Sequence, residues 1–460
     1  MGGGLIQLVA YGAQDIYLSG NPQITFFKHV YKRHTMFAIE NFPQYPTGTI
    51  NWGNKLTYTI DRKADLLSKS NIEFFIDFCD KDDAPLTKQE ILKDINTRGL
   101  QTSLAKSLAY NFIDYIEVEI NGTVIDRHTG HWLAIKTELY KTFNKRFEEF
   151  LLTCPYYSAP HIDENTMFIS LPLQFWFNTN AGLALPLIAL QHHDVKIHIQ
   201  LNGLNKILVN PIDNPQAKFI KNLKIREMNL TCDYIYLDTE ERRRFAQNSH
   251  EYLIEQLQIL PGEYCRDGNT DILIPLTFNH PVKQIVWTIH NRVLYKWLGY
   301  LWSGQKDRIK YAKIQLNGVD RFPEKPGIYF QTIQKNNHYD GINLFDFMFM
   351  NKYINTSSFL GFNIDTWDDT RLPIAALDPF VYSFAIEPQR QQPTGSCNFS
   401  RLDNAVLSMQ LNDKLPNWTM GNDDGEYDST PKDGYDVRVY GVNYNVLRIT
   451  GGMGGLAYSN

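Results

Sequence analysis

Two stretches of this chain, 317 − 121 = 196 positions apart, repeat one hairpin chemistry, and that repeat limits the fold more than any other feature. Tyr115 to Arg127 reads YIEVEINGTVIDR and Tyr311 to Phe322 reads YAKIQLNGVDRF. Each is an alternating run, an Asn-Gly pair and a short return. Asn121-Gly122 and Asn317-Gly318 suit the type I′ turn, whose two central residues both need positive φ. A second matching pair precedes the hairpins, KLTYTIDRKADLLSKSNIEFFI from Lys55 and IPLTFNHPVKQIVWTI from Ile274. A third follows them, beginning at Phe175 and Tyr382, offset by 382 − 175 = 207. Three blocks recur in one order, which predicts two copies of a β domain of about 200 residues joined near Asp238 to Ser249.

Period-two alternation dominates the rest of the chain. Lys55 to Ile60, Ile116 to Ile120, Val195 to Ile199, Ile285 to Ile289 and Val437 to Val446 each read as a strand with one face in and one out. The 8 Trp, 26 Tyr and 27 Phe, 13% of the chain, favour pleated, half-buried surfaces. Short strands joined by long polar loops predict an all-β protein: a double jelly roll of two tandem eight-stranded antiparallel β-sandwiches, with short helices in loops. Helical spacing is confined to Trp132 to Phe150 and to Asp238 to Ala246. The long segments His128 to Asn165 and Pro323 to Asp378 are expected to form an outward-facing tower, because long insertions belong on exposed surface.

Several function classes are excluded or disfavoured. Lys and Arg total 45 against 50 Asp and Glu, a net charge of −5, and the densest basic cluster is only Arg242 to Arg244, which follows Glu240 and Glu241. Phosphate-backbone binding needs more, and a salt-bridged linker helix fits that run better. The longest apolar run, Ala181 to Leu190, is far shorter than a membrane helix. The start of the chain has no secretory layout. Five cysteines (Cys79, Cys154, Cys232, Cys265, Cys397) form no metal-ligand spacing and read as reduced, mostly buried thiols. His192, His193 and His198, with Asp194, and His128 with His131 invite a cupin-type metal site, but their spacing favours loop and strand-end histidines. No nucleophile elbow, zincin motif or phosphate loop occurs. The expectation is a protein that is not an enzyme and needs no cofactor.

Three segments carry a resemblance. Gly2 to Thr35, Tyr236 to Gln258 and Val437 to Asn460 closely resemble the major capsid proteins of large icosahedral double-stranded DNA viruses, the nucleocytoplasmic group of chlorovirus, iridovirus and giant amoebal virus type. The resemblance implies homotrimers that form pseudo-hexagonal capsomers and tile an icosahedral shell over an internal lipid membrane. It also implies as partners the chain itself in neighbouring capsomers, minor capsid and penton proteins, and the membrane through indirect contact, with no direct nucleic acid. The virion shell, assembled in the host cytoplasm, is the expected location. Minor capsid or scaffold proteins sharing the fold, and a carbohydrate-binding or cupin-like β-sandwich, are the alternatives.

The expected layout is an N-terminal arm at 1–22, a first jelly roll at 23–237, a linker at 238–249, a second jelly roll at 250–450 and a Gly-rich tail at 451–460. The glycine-rich ends are expected to be flexible alone and to order against a neighbour or the shell's underside. Met1 to Asn21 is assigned a contact with the inner shell or an adjacent capsomer. Possible glycosylation positions, each followed by x-Ser or x-Thr, are Asn121, Asn229, Asn355, Asn398 and Asn417.

Overall fold

The computed structural model describes residues 3–10, 12–80, 84–87, 108–153, 162–163, 166–207, 222–260, 262–265, 271–291, 309–339, 379–412 and 435–458. The chain divides into two units, Met1–Phe37 and Ala38–Asn460. In the first, helices α1 (Gly3–Val9) and α2 (Ile16–Ser19) precede a non-helical stretch from Gly20 onward. The glycine-rich start therefore contributes to a helix instead of remaining free coil.

Among the described residues the larger unit holds sixteen principal strands. The first eight are β1 (Phe37–Gln44), β2 (Lys55–Thr59), β3 (Leu66–Cys79), β4 (Ile113–Ile120), β5 (Thr123–Thr129), β6 (Thr166–Pro172), β7 (Val195–Leu201) and β8 (Asn222–Leu237). They form two antiparallel sheets, ordered β1-β8-β3-β6 and β2-β7-β4-β5. The second eight are β9 (His250–Ile259), β10 (Asp271–Pro275), β11 (Pro281–Asn291), β12 (Ile309–Leu316), β13 (Val319–Asp320), β14 (Phe380–Ser383), β15 (Ala405–Leu411) and β16 (Tyr435–Thr450). Their sheets are ordered β9-β16-β11-β14 and β10-β15-β12-β13. Adding eight to each label of the first pair gives the second pair, so one jelly-roll topology occurs twice. The two Asn-Gly turns superpose in conformation as well, with φ of 49° and 79° at Asn121 and Gly122 and 49° and 78° at Asn317 and Gly318.

Burial follows the alternation. In β15 the pattern is strictly buried and half-buried by turns, and β7 buries Val195, Ile197, Ile199 and Leu201. The strands β16, β11 and β14 behave differently, because both their faces are covered. Val437, Val439, Ile285, Trp287, Phe380 and Tyr382 belong to the second roll's core, whereas Tyr440, Val442, Val286 and Val381 belong to the core of the first. A sheet buried on both faces has no wet side for its polar residues. It is the wall the two rolls share.

Two expectations need correction. Trp132 to Phe150 is not one helix: α3 (Gly130–Tyr140) ends at Lys141, and α4 (Phe143–Thr153) begins after it. Nor is the start of the supposed first tower an exposed loop. Within α3, Gly130 to Thr137 and Leu139 are all buried, since Trp132, Leu133, Ile135 and Leu139 join the first core. In the second supposed tower, Phe330, Gln331, Gln334 and Lys335 are likewise buried, and 340–378 lie outside the described residues. The linker forms α5 (Thr239–Gln247), where Arg242 meets Asp65 at 3.0 Å and Arg243 meets Glu240 at 3.7 Å, the salt-bridged face expected of that run.

Candidate functional site: a buried polar joint between the two rolls

The joint is built on α3. Thr129 precedes the helix in extended conformation and its hydroxyl accepts from the Trp132 amide, supplying one of the otherwise unpaired donors of the first turn. Gly130 follows because a Cβ there would lie 2.1 Å from the Tyr110 carbonyl oxygen. The helix then presents His131, Trp132, Lys136 and Tyr140 towards groups of the second roll. His131 Nδ1 is hydrogen-bonded to the Tyr440 hydroxyl at 2.6 Å, and the Trp132 ring lies 5.3 Å from the Tyr440 ring.

Polar side chains from both rolls interlock around these contacts. Gln284, fully buried in β11, donates to the Tyr140 hydroxyl at 2.7 Å and accepts from the Tyr339 hydroxyl. Leu257 N donates to Asp126 Oδ1 at 3.0 Å, and Gln256 donates to the Ile125 carbonyl. Lys335 pairs with Glu138 at 3.5 Å. Lys283, 0% exposed, pairs with Glu255 and lies 5.5 Å and 5.6 Å from the rings of Tyr140 and Tyr444. Burial holds the Lys283 ammonium below its ordinary pKa, and Glu255 works against that shift. Lys136, which donates to the Gln174 carbonyl at 2.7 Å, is lowered to about 8, chiefly by burial.

His128 is buried against Phe175, stacked at 4.5 Å, with its Nε2 3.0 Å from Asp126 Oδ2. Burial lowers its pKa and Asp126 opposes the shift. Between these groups lies a cavity of about 10 Å³, lined by Asp126, His128, Lys136, Tyr140, Gln174 and Glu255 among others. That is room for one water molecule, too little for a sugar ring or a cofactor. The joint is buried and closely packed, with most of its polar groups paired. Such an arrangement ties α3 of the first roll to β11 and β16 of the second.

The C-terminal glycines form a second contact. Gly451 and Gly452 turn the chain at φ of 60° and 81°, and β17 (Met453–Leu456) returns along β16. The Gly452 carbonyl accepts from His192 N at 3.0 Å, and Gly454 N donates to His193 Nδ1 at 3.0 Å. A Cβ on Gly454 would lie 2.6 Å from the Leu190 side chain, which would have to shift to admit it. The Gly-rich tail is a hairpin seated on the first roll of its own chain.

The remaining histidine, His198, sits within β7 and not at a strand end, bonded to Thr57 Oγ1 at 2.9 Å and Glu119 Oε2 at 2.8 Å. Among the described residues no group of three His, Cys, Asp or Glu side chains could hold a metal. Cys79 and Cys232 are buried and in no disulfide, and Cys397 is half-buried. Of the sequon asparagines, Asn121 is exposed in its turn and Asn398 is exposed beside Phe399. Asn229 is buried in β8, its amide donating to Glu227 at 2.7 Å. Asn355 and Asn417 lie outside the described residues. The joint itself escaped sequence reasoning. The polar letters at Asn443 and Asn445, interrupting β16 where apolar ones were due, were the available signal: both are buried, and Asn445 donates to Gln256.

Two jelly rolls in tandem, sharing a wall and joined by a buried polar contact, define a subunit of the double jelly-roll class. Residues 25–238 match the family described as major capsid protein N-terminus, and residues 241–347 and 368–455 match the large eukaryotic DNA virus major capsid protein. The major capsid protein of Pyramimonas orientalis virus is 39% identical over 465 residues, covering all of both chains. That of Paramecium bursaria Chlorella virus 1 is 34% identical, again over all of both chains. A chain of the solved PBCV-1 virus capsid superposes with a TM-score of 0.70 at 30% identity, covering 95% of this chain and 100% of that one. The Faustovirus major capsid protein, 11% identical with a TM-score of 0.62 over 96% and 94% of the two chains, shares the fold. This chain belongs to the major capsid proteins of large eukaryotic DNA viruses.

Proposed function

We propose that three copies of this chain form a capsomer of pseudo-hexagonal outline, and that capsomers tile an icosahedral virion shell. The carrying observation is the full-length 39% identity to a major capsid protein, joined to a fold in which one jelly-roll topology occurs twice. Two similar lobes per subunit, repeated about a threefold axis, give six similar lobes, the outline that packs on a hexagonal lattice. Weak lateral contacts become strong when multiplied over many copies.

In this reading the protein is structural and has no catalytic activity. Its partners are further copies of itself, minor capsid and penton proteins, and an internal membrane reached indirectly, without direct nucleic acid. Assembly takes place in the host cytoplasm. The arm at 1–22, the rolls at 23–237 and 250–450, the linker at 238–249 and the tail at 451–460 are the working parts. Among the described residues, Asn121 and Asn398 are the exposed sequons that a glycan can reach. Negative-stain images of the purified chain test the reading: three-fold particles with six lobes are expected, and isolated two-lobed particles at every concentration would contradict it.

A further inference from the structure

The two Asn-Gly turns are alike in backbone and unlike in surroundings. Both asparagines and both glycines are exposed, their φ angles agree within 1°, and nothing lies within 4 Å of where a Cβ on Gly122 or Gly318 would stand. The side chains differ. Asn317 Oδ1 accepts from Asp403 N at 2.9 Å and from Asn404 N at 3.1 Å. The Asn121 carboxamide makes no hydrogen bond among the described residues. Two positions before each asparagine stands Glu119 in one hairpin and Gln315 in the other. Glu119 Oε1 accepts at 3.1 Å from Gly122 N, an amide that the turn leaves outside the strand ladder. Gln315 is turned away, its amide donating to Asp320 Oδ1 at 2.7 Å. The hydrogen bond from His198 Nε2 to Glu119 Oε2, at 2.8 Å, is the main cause holding the Glu119 carboxyl below its ordinary pKa. A carboxylate therefore faces the Gly122 N–H at neutral pH.

We propose that Asn121-Gly122 is a self-modifying site, where Gly122 N, its proton drawn by Glu119, closes on the Asn121 side-chain carbonyl and converts the asparagine through a succinimide into aspartate and isoaspartate. The bond from Gly122 N to Asn121 Cγ forms and the Cγ–Nδ2 bond breaks. The departing nitrogen takes the proton relayed by Glu119 Oε1 and leaves as ammonia, so the carboxylate is regenerated. One solvent water then opens the ring: at the side-chain carbonyl it gives aspartate, and at the backbone carbonyl isoaspartate. Glycine leaves the attacking nitrogen uncrowded. Ring closure needs the carboxamide to rotate towards the following amide, and at Asn317 two backbone donors restrain that rotation where no carboxylate waits. The product has consequences for the subunit. It can no longer accept an N-linked glycan at position 121, and it sets a new carboxylate beside Glu119 and Asp194, whose carbonyl accepts from Asn121 N at 3.1 Å. The isoaspartyl form also lengthens the backbone of a turn whose return strand supplies Ile125 and Asp126 to the joint.

The test follows both turns in one molecule. The full-length chain is held at neutral pH in heavy-oxygen water and digested, and the peptides bearing positions 121 and 317 are read by mass spectrometry that separates aspartate from isoaspartate. Asn121 is expected to convert about 10-fold or more faster than Asn317, the lead that two restraining hydrogen bonds and a positioned base supply. Both products should carry one heavy oxygen. In the chain unfolded by urea the two pairs should convert at similar rates, because the Asn-Gly sequence is the same. The E119Q variant gives the first hairpin the residue of the second, and should slow Asn121 about 10-fold while leaving Asn317 unchanged. Loss of the His198 partner could loosen the fold, and Asn317 would report that by speeding up. Equal rates in the folded chain, a faster Asn317, aspartate without isoaspartate, or an unchanged Asn121 rate in E119Q would each overturn the proposal.

Discussion

Replacing Glu255 by Gln isolates the energetics of the joint, because it keeps the side chain's shape and removes only its charge. Lys283 is the extra residue at the bulge between β11 and β16, 0% exposed, with Glu255 as its ion-pair partner and the rings of Tyr140 and Tyr444 on either side. Without the carboxylate the ammonium remains buried and unpaired, which costs about 3–5 kcal/mol. The Gln carbonyl can still accept one hydrogen bond, returning about 1 kcal/mol. A net loss of about 2–4 kcal/mol is therefore expected at pH 7, read from urea unfolding followed by tryptophan fluorescence. Adding K283M removes the stranded charge and should bring stability to within about 1 kcal/mol of the parent.

The pH dependence has a definite sign. Burial already holds the folded-state pKa of Lys283 below its ordinary value, and loss of Glu255 lowers it further. The unfolded chain then binds more protons than the folded one in the interval between the two pKa values, so stability rises with pH across it. The deficit of the Glu255→Gln variant should be largest at neutral pH and shrink as the solution is made alkaline. A loss below about 1 kcal/mol at pH 7, or a double variant no better than the single one, would refute the picture of a buried, charge-paired joint.

Three further outcomes follow from the same geometry. His128 is folded in its neutral form, with a lowered pKa, so acidification from its ordinary value of 6.5 towards the folded value should reduce stability, and His128→Gln should flatten the urea midpoint between pH 7.5 and 5. Gly452→Ala places a Cβ 2.6 Å from the His192 ring at a φ of 81°, and should cost about 1–3 kcal/mol while speeding hydrogen exchange at Gly454 N. The two Asn-Gly turns should respond unequally: Asn317 Oδ1 also accepts from Asp403 N and Asn404 N at 2.9 and 3.1 Å. Asn317→Ala should therefore cost about 1–2 kcal/mol more than Asn121→Ala in the same unfolding assay.

The repeated hairpins were legible because Asn-Gly chemistry is local: the turn conformation follows from two residues whatever surrounds them. The strands with one wet face were legible for a similar reason, since alternation in β2 or β15 records a difference between water and core. Where both faces are dry, the record is lost. In β11 and β16 apolar and polar letters alternate as they would in a strand with one wet face, which hides which residues serve which core, and Lys283 looks like any surface lysine until its partner 28 positions away is known. The same blindness misplaced α3: a long segment after a hairpin looks like an exposed excursion, and only the packing of Trp132 against Tyr440 shows it to be buried. Glycines at a C-terminus read as flexibility. A Gly-Gly pair is equally a hairpin turn, and at Gly451 and Gly452 the positive φ of 60° and 81° is what favours glycine.

The most direct test of the central claim is the solution mass of the full-length chain by light scattering. The account predicts a stable assembly near three times 53.3 kDa. A species that stays at 53.3 kDa over the whole accessible concentration range would contradict it.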